Sequence, residues 1–163
     1  MMKFSTRKIE GTWTEGYALD IQTISSSFMG YNEAGHPQFD TKRSELGEFL
    51  YRLKYKGDQS AVAPIAQAAA TYLTQWKPAP DLIVPVPPST KRKRPPVLLI
   101  AEALAKLGNK PCIDCVTTTR DPKKALKDVT DPEERKALLA DLFSVDPAHT
   151  KGKKILLLDD LYR

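Results

Sequence analysis

Two adjacent carboxylates close an apolar run near the end of this chain, Ile155-Leu156-Leu157-Leu158-Asp159-Asp160. Four consecutive apolar residues read as a short buried strand. A strand that stops at two acids leaves both at its tip, where they can accept hydrogen bonds from hydroxyls or ligate a hard divalent cation. Two further stretches are cationic: the loop Lys91-Arg92-Lys93-Arg94, and the polar run from Thr119 to Thr130, which carries Arg120, Lys123, Lys124 and Lys127. A cationic rim facing a pair of acids suits a ligand that bears phosphates and hydroxyls, or phosphates and a divalent metal. Taken singly, a Lys/Arg run is also what a solvated loop looks like, and an Asp pair what a surface turn looks like.

Other reactive side chains carry less. Cys112-Ile113-Asp114-Cys115 is a lone Cys-x-x-Cys on a segment that reads as a strand. Positions three apart on a strand face opposite sides, which suits neither chelation nor disulfide exchange. His36 and His149 sit near prolines with no partner at ligand spacing and read as solvated. No Gly-Lys-Ser/Thr loop precedes a helix, so the acidic strand end does not belong to a P-loop nucleotidase.

The elements that must position these groups follow from periodicity. Ile9–Thr14 and Tyr17–Ile24 read as a hairpin turning at Glu15-Gly16, followed by a loop over 30–37. Leu46, Phe49, Leu50 and Leu53 repeat at helical spacing behind a cap at Asp40 or Thr41, and that helix stops near Gly57. A second helix starts near Ser60, with Pro64 in its first turn, and carries Ile65, Ala69, Tyr72, Leu73 and Trp76. Then come a strand over Leu82–Val86, a helix opened by Pro95-Pro96 with Leu99, Ala103 and Leu107 on one face, and a strand over Cys112–Thr118. A helix from Asp131 toward Phe143 and the Ile155–Leu158 strand complete the order. This alternation implies an α/β fold: a parallel sheet with helices on both faces, plus an N-terminal β-hairpin. The expected division is a hairpin appendage over 1–39 and an α/β domain over 40–163.

Composition bounds the class. The 163 residues are 41% hydrophobic and 28% charged, and 25 Lys/Arg against 20 Asp/Glu leave a net charge of +5 that favours anionic partners. No apolar run is long enough to span a bilayer, no secretory signal is visible behind Met1, and two cysteines make no disulfide framework. A cytoplasmic protein without a membrane partner is expected.

The order Leu53-Lys54-Tyr55-Lys56-Gly57-Asp58, then Val84-Pro85-Val86-Pro87, then Arg120 to Phe143 with Lys127, Asp131, Glu134 and Arg135, then Ile155 to Arg163, resembles the type I phosphoribosyltransferases, and within them the ComF-like group. The resemblance runs from about Glu45 to Arg163. It implies a transferase that takes phosphoribosyl pyrophosphate (PRPP) with Mg²⁺ and passes the phosphoribosyl group to a small-molecule acceptor. On that resemblance Asp159 and Asp160 match the acidic pair that binds PRPP and its metal. Val86, Pro87, Arg92 and Arg94 match the pyrophosphate loop, and Arg120 and Lys127 match catalytic cations on a loop that closes over the site.

The chain also departs from the pattern. The Ser/Thr-Gly-Ala-Thr turn that follows the acidic pair in the family, and holds the 5′-phosphate, does not follow Asp160-Leu161-Tyr162-Arg163, so a C-terminally truncated product is expected. Pro95-Pro96-Val97-Leu98 stands where the group often has Gly-Phe-Asn-Gln. The four-cysteine zinc module that many members carry is missing from residues 1 to 81. The alternatives are a non-catalytic accessory protein of DNA uptake and an inert fragment. Direct nucleic-acid binding is not expected, because the basic loop lacks interleaved aromatics. A homodimer is compatible with the sequence.

Overall fold

The computed structural model describes residues 2–88, 94–119 and 129–162. They form a mixed α/β arrangement with five α-helices and four two-stranded sheets. The chain divides into two compact units, the first running to Gln75 and including the end of the chain from Leu161, the second being Trp76–Asp160.

In the first unit, β1 (Arg7–Lys8) pairs antiparallel with β2 (Tyr17–Ala18), and Ile9 N donates to Gly16 O at 2.9 Å. The expected strand over 9–14 is instead a curled loop. Trp13 folds back so that its Nε1 donates to Ile9 O, and a Cβ at Gly11 would lie 2.3 Å from its ring. A second hairpin joins β3 (Thr23–Tyr31) to β4 (Pro37–Arg43). Its turn is built by Asn32, whose Oδ1 accepts from the backbone N of Ala34 and of His36, with Gly35 at φ +76°. Residues 37–43 are therefore strand, and the helix cap expected at Asp40 or Thr41 is Ser44, whose hydroxyl accepts from Gly47 N at 2.9 Å.

From that cap α1 (Glu45–Lys56) runs to Gly57, which ends it at φ +67°. Leu46, Leu50 and Leu53 are buried as their spacing requires. Asp58 then caps a short 3₁₀ turn (Gln59–Ala61) and accepts from Arg52 Nε at 2.9 Å. Helix α2 (Val62–Trp76) holds Pro64 in its first turn, where a missing N–H costs nothing, and buries Ile65, Ala66, Ala68 and Ala69.

In the second unit, β5 (Leu82–Pro85) is buried along its whole length and runs parallel to β8 (Ile155–Leu158), from Leu82↔Ile155 to Pro85↔Leu158. On its other side Ile83 forms a parallel bridge with Cys112. Helix α3 (Pro96–Gly108) packs on β5. It buries Val97, Ile100, Ala101, Leu104 and Ala105, while Leu107 on the expected face is 52% exposed. The helix is thus rotated from the face marked by Leu99, Ala103 and Leu107, because the larger apolar set Val97, Ile100 and Leu104 lies on the other side. The strand expected over Cys112–Thr118 contributes only Cys112 to the parallel set. Beyond it, β6 (Val116–Thr118) pairs antiparallel with β7 (Phe143–Val145). Asp131 caps α4 (Pro132–Leu139), which ends before Asp141, a residue at φ +57°, so the helix does not continue toward Phe143. A short α5 (Pro147–Thr150) leads back to β8, where Ile155 and Leu157 remain exposed.

Candidate functional site at the carboxyl ends of β5 and β8

β5 is central among the three parallel segments, with β8 on one side and Cys112 on the other. The chain passes from β5 to Cys112 and then to the opposite side of β5, so the strand order reverses between β5 and β8. In open α/β sheets the crevice outside the carboxyl ends at such a reversal is where ligands bind. Val86 and Pro87 leave β5 there, and Asp159 and Asp160 leave β8 there.

One hydrogen bond ties the two exits together: Val86 N donates to Leu158 O at 2.8 Å. The prolines fit this arrangement. Ile83 N donates the other way, to Pro111 O at 2.9 Å, so the backbone N of Pro85, two residues on, also faces away from β8. At the opposite end of the pair, Asp81 N donates to Lys154 O and Lys154 N to Asp81 Oδ2, each at 2.8 Å. The register of β5 against β8 is thereby held at both ends.

Asp159 is exposed and Asp160 half-buried. The Asp160 N–H donates to Asp159 Oδ1 at 2.7 Å, which turns the Asp159 carboxylate back over its own backbone. Adjacent carboxylates are hard oxygen donors that suit Mg²⁺, an ion that keeps several waters and is commonly shared with substrate phosphates. Among the described residues no group of three or more His, Cys, Asp or Glu is placed to hold a metal ion.

The remaining residues singled out from the sequence are distributed as follows. Arg94 is exposed, and its NH2 lies 3.8 Å from Glu102 Oε2 on α3. Arg92, Arg120 and Lys127 lie outside the described residues. The anchors on either side of 120–128 are described. Thr119 N donates to Leu142 O at 2.8 Å, its hydroxyl donates to Asp141 O at 2.6 Å, and Val129 is 4% exposed. In the sequence Thr119 marks only the start of the polar run, with no sign of this pairing. Its role arises from an antiparallel neighbour, β7, that a run of three exposed residues does not advertise.

The segment between the two cysteines is not a strand, contrary to expectation, since Cys112 makes only a single bridge and β6 begins at Val116. Cys115 is buried with Leu82 and Val84, and Cys112 is half-buried, its thiol pushed up by burial, then by the nearby Glu102 and Asp114. His149 Nε2 lies 3.6 Å from Asp146 Oδ2 at the start of α5, and His36 belongs to the Asn32 turn. No protein-family model and no curated protein matches the chain. No helix among the described residues is long and apolar enough to cross a membrane.

Proposed function

We infer that the chain binds PRPP with Mg²⁺ at the carboxyl ends of β5 and β8 and transfers its phosphoribosyl group to an acceptor, releasing pyrophosphate. The observation that carries this reading is the Val86–Leu158 hydrogen bond, which sets Asp159 and Asp160 beside the turn at Pro87 where the strand order reverses. Charge supports it as well. Residues 76–160 hold sixteen Lys/Arg against twelve Asp/Glu, whereas residues 1–75 hold eight of each, so the excess lies in the unit with the candidate site. The same reading extends β5, β8 and the Cys112 segment into a parallel sheet covered by helices on both faces.

Each residue then has a role. Asp159 and Asp160 accept hydrogen bonds from the two ribose hydroxyls and supply oxygens toward Mg²⁺. The ion neutralises charge on the diphosphate. The turn after Val86-Pro87, with Arg92 and Arg94, receives the pyrophosphate. Arg94 is available for this, because an exposed pair with Glu102 at 3.8 Å is worth little. Arg120 and Lys127, on the segment anchored by Thr119 and Val129, bring cations to the leaving group and exclude water. A lone pair on the acceptor forms the new bond to the anomeric carbon. The carbon–oxygen bond to pyrophosphate breaks with its electron pair, and the acceptor proton passes to solvent. Equilibrium titration of PRPP into the protein with and without Mg²⁺ tests the reading. Saturable binding that needs Mg²⁺ is expected, and the lack of any binding overturns it.

A further inference from the structure

The hairpin of β3 and β4 has two unlike faces. Ser26 pairs with Thr41, Phe28 with Phe39 and Tyr31 with Pro37. Alternation along β4 puts Pro37, Phe39 and Thr41 on one side and Gln38, Asp40 and Lys42 on the other. Side-chain contacts mark out the first side. Ser26 Oγ lies 3.1 Å from Thr41 Oγ1, and the Phe28 ring stands edge-on to Phe39 at 5.7 Å and to Tyr31 at 5.3 Å. Tyr31 reaches the same side as Phe28, three residues away, because a bulge between Phe28 and Gly30 resets the alternation.

One face is thus apolar and the other polar, the pattern of a sheet packed on one side. Yet Phe28 is 54%, Phe39 56% and Tyr31 71% exposed, so the apolar face is bare. A two-stranded hairpin is marginal alone in water and becomes stable through further strands or a packed face. The bare face also carries no charge. Asp40 and Lys42 lie on its reverse, and Arg43 at the end of β4 is drawn over the Tyr51 ring at 3.8 Å. Two identical subunits related by a two-fold axis need a patch that complements itself. A charged patch would meet like charge there, whereas this one meets only rings and hydroxyls. An aromatic side chain encloses about 150–250 Å² when buried, so roughly 100 Å² of each ring is still to be covered. Two such faces make an interface of the weak, reversible size class rather than an obligate one.

We propose that a second copy of this chain packs on this face, with Phe28, Tyr31 and Phe39 of the two protomers interleaving between stacked hairpins. The proposal does not depend on PRPP binding. Sedimentation equilibrium of the wild type across the micromolar range tests it, alongside Phe39→Lys and Lys42→Glu, which alter opposite faces of the same strand. A reversible monomer–dimer equilibrium is expected for the wild type and for Lys42→Glu, and a monomer throughout for Phe39→Lys. Hydroxyl-radical footprinting of the wild type needs no variant to fold. Modification of Tyr31 and Phe39 is expected to fall several-fold as concentration rises through the dimerisation range, while Tyr55, 62% exposed on α1, keeps its rate. A wild type that stays monomeric overturns the proposal. So does a dimer that survives Phe39→Lys, that Lys42→Glu abolishes equally, or that leaves Tyr31 and Phe39 unprotected.

Discussion

Val86 and Leu158 join the exits of two parallel strands, the N–H of one donating to the carbonyl of the other at 2.8 Å, one residue before Asp159. The bond forms because Val-Pro-Val-Pro alternates residues that can donate with residues that cannot. Ile83 donates away from β8 and Val86 toward it, so Pro85 removes no hydrogen bond between β5 and β8. The spacing that places an acid pair beside a strand turn is thus built into the backbone before any ligand is present.

Gly47 lies in the first turn of α1, where alanine is intrinsically better by about 1 kcal/mol. A Cβ there would lie 2.2 Å from Gln22 O, the same carbonyl that accepts from Ser44 N. Backbone cannot yield as a side-chain tip can. Gly47→Ala is therefore expected to destabilise the protein by about 1–3 kcal/mol, in the manner of overpacking. Urea denaturation checks it, and a gain in stability would refute the close approach.

Asp58 is held below its ordinary value of 3.8, chiefly by the Ser60 hydroxyl and then by Arg52. A carboxyl with a lowered native pKa stabilises the fold at pH values above 3.8, and that contribution disappears as pH falls through the native value. The stability difference between the wild type and Asp58→Asn is expected to be flat near neutrality and to shrink below pH 3.8. Paired denaturation curves over that range measure it. A difference that grows on acidification would reverse the assignment.

Asp131 accepts from Glu133 N at 3.4 Å and Glu134 N at 3.1 Å, capping α4 just beyond Val129. Asp131→Ala removes both bonds and is expected to cost about 1 kcal/mol. Asp131→Asn, which keeps the acceptor, is expected to cost less. Equal losses in the two variants would show that charge at the helix start, rather than the cap, is what matters.

Leu104 is 2% exposed on the face of α3 that packs on β5. Leu104→Ala is expected to cost about 2–5 kcal/mol. Leu107→Ala, on the outer face at 52% exposure, is expected to cost far less. Thermal unfolding of the two variants separates these faces, and the reverse order would return α3 to the orientation its leucine spacing suggests.

Local pattern reveals some of these elements and hides others. Leu46, Leu50 and Leu53 reveal α1 because one face of it is buried, and Leu82–Val84 reveals β5 because it is buried throughout. β4 is hidden: Gln38, Asp40, Thr41, Lys42 and Arg43 surround one aromatic, and no residue of the strand is fully buried, so no alternation of apolar residues marks it. The α3 face is misread because apolar residues lie all round the helix, so that Leu99, Ala103 and Leu107 compete with the buried set Val97, Ile100 and Leu104. In the candidate site, the acid pair and the Val-Pro-Val-Pro turn are legible since each ends a local apolar run. Their adjacency is not, because Asp81 and Lys154, which set the register, are 73 residues apart.

Isothermal titration of PRPP with Mg²⁺ into the wild type and into Asp160→Asn tests the central claim most directly. Loss of a charge-assisted hydrogen bond to a ribose hydroxyl is worth about 1.5–3 kcal/mol. Saturable wild-type binding that weakens about tenfold or more in the variant is therefore expected. Equal affinity in both proteins, or no binding by the wild type, would contradict it.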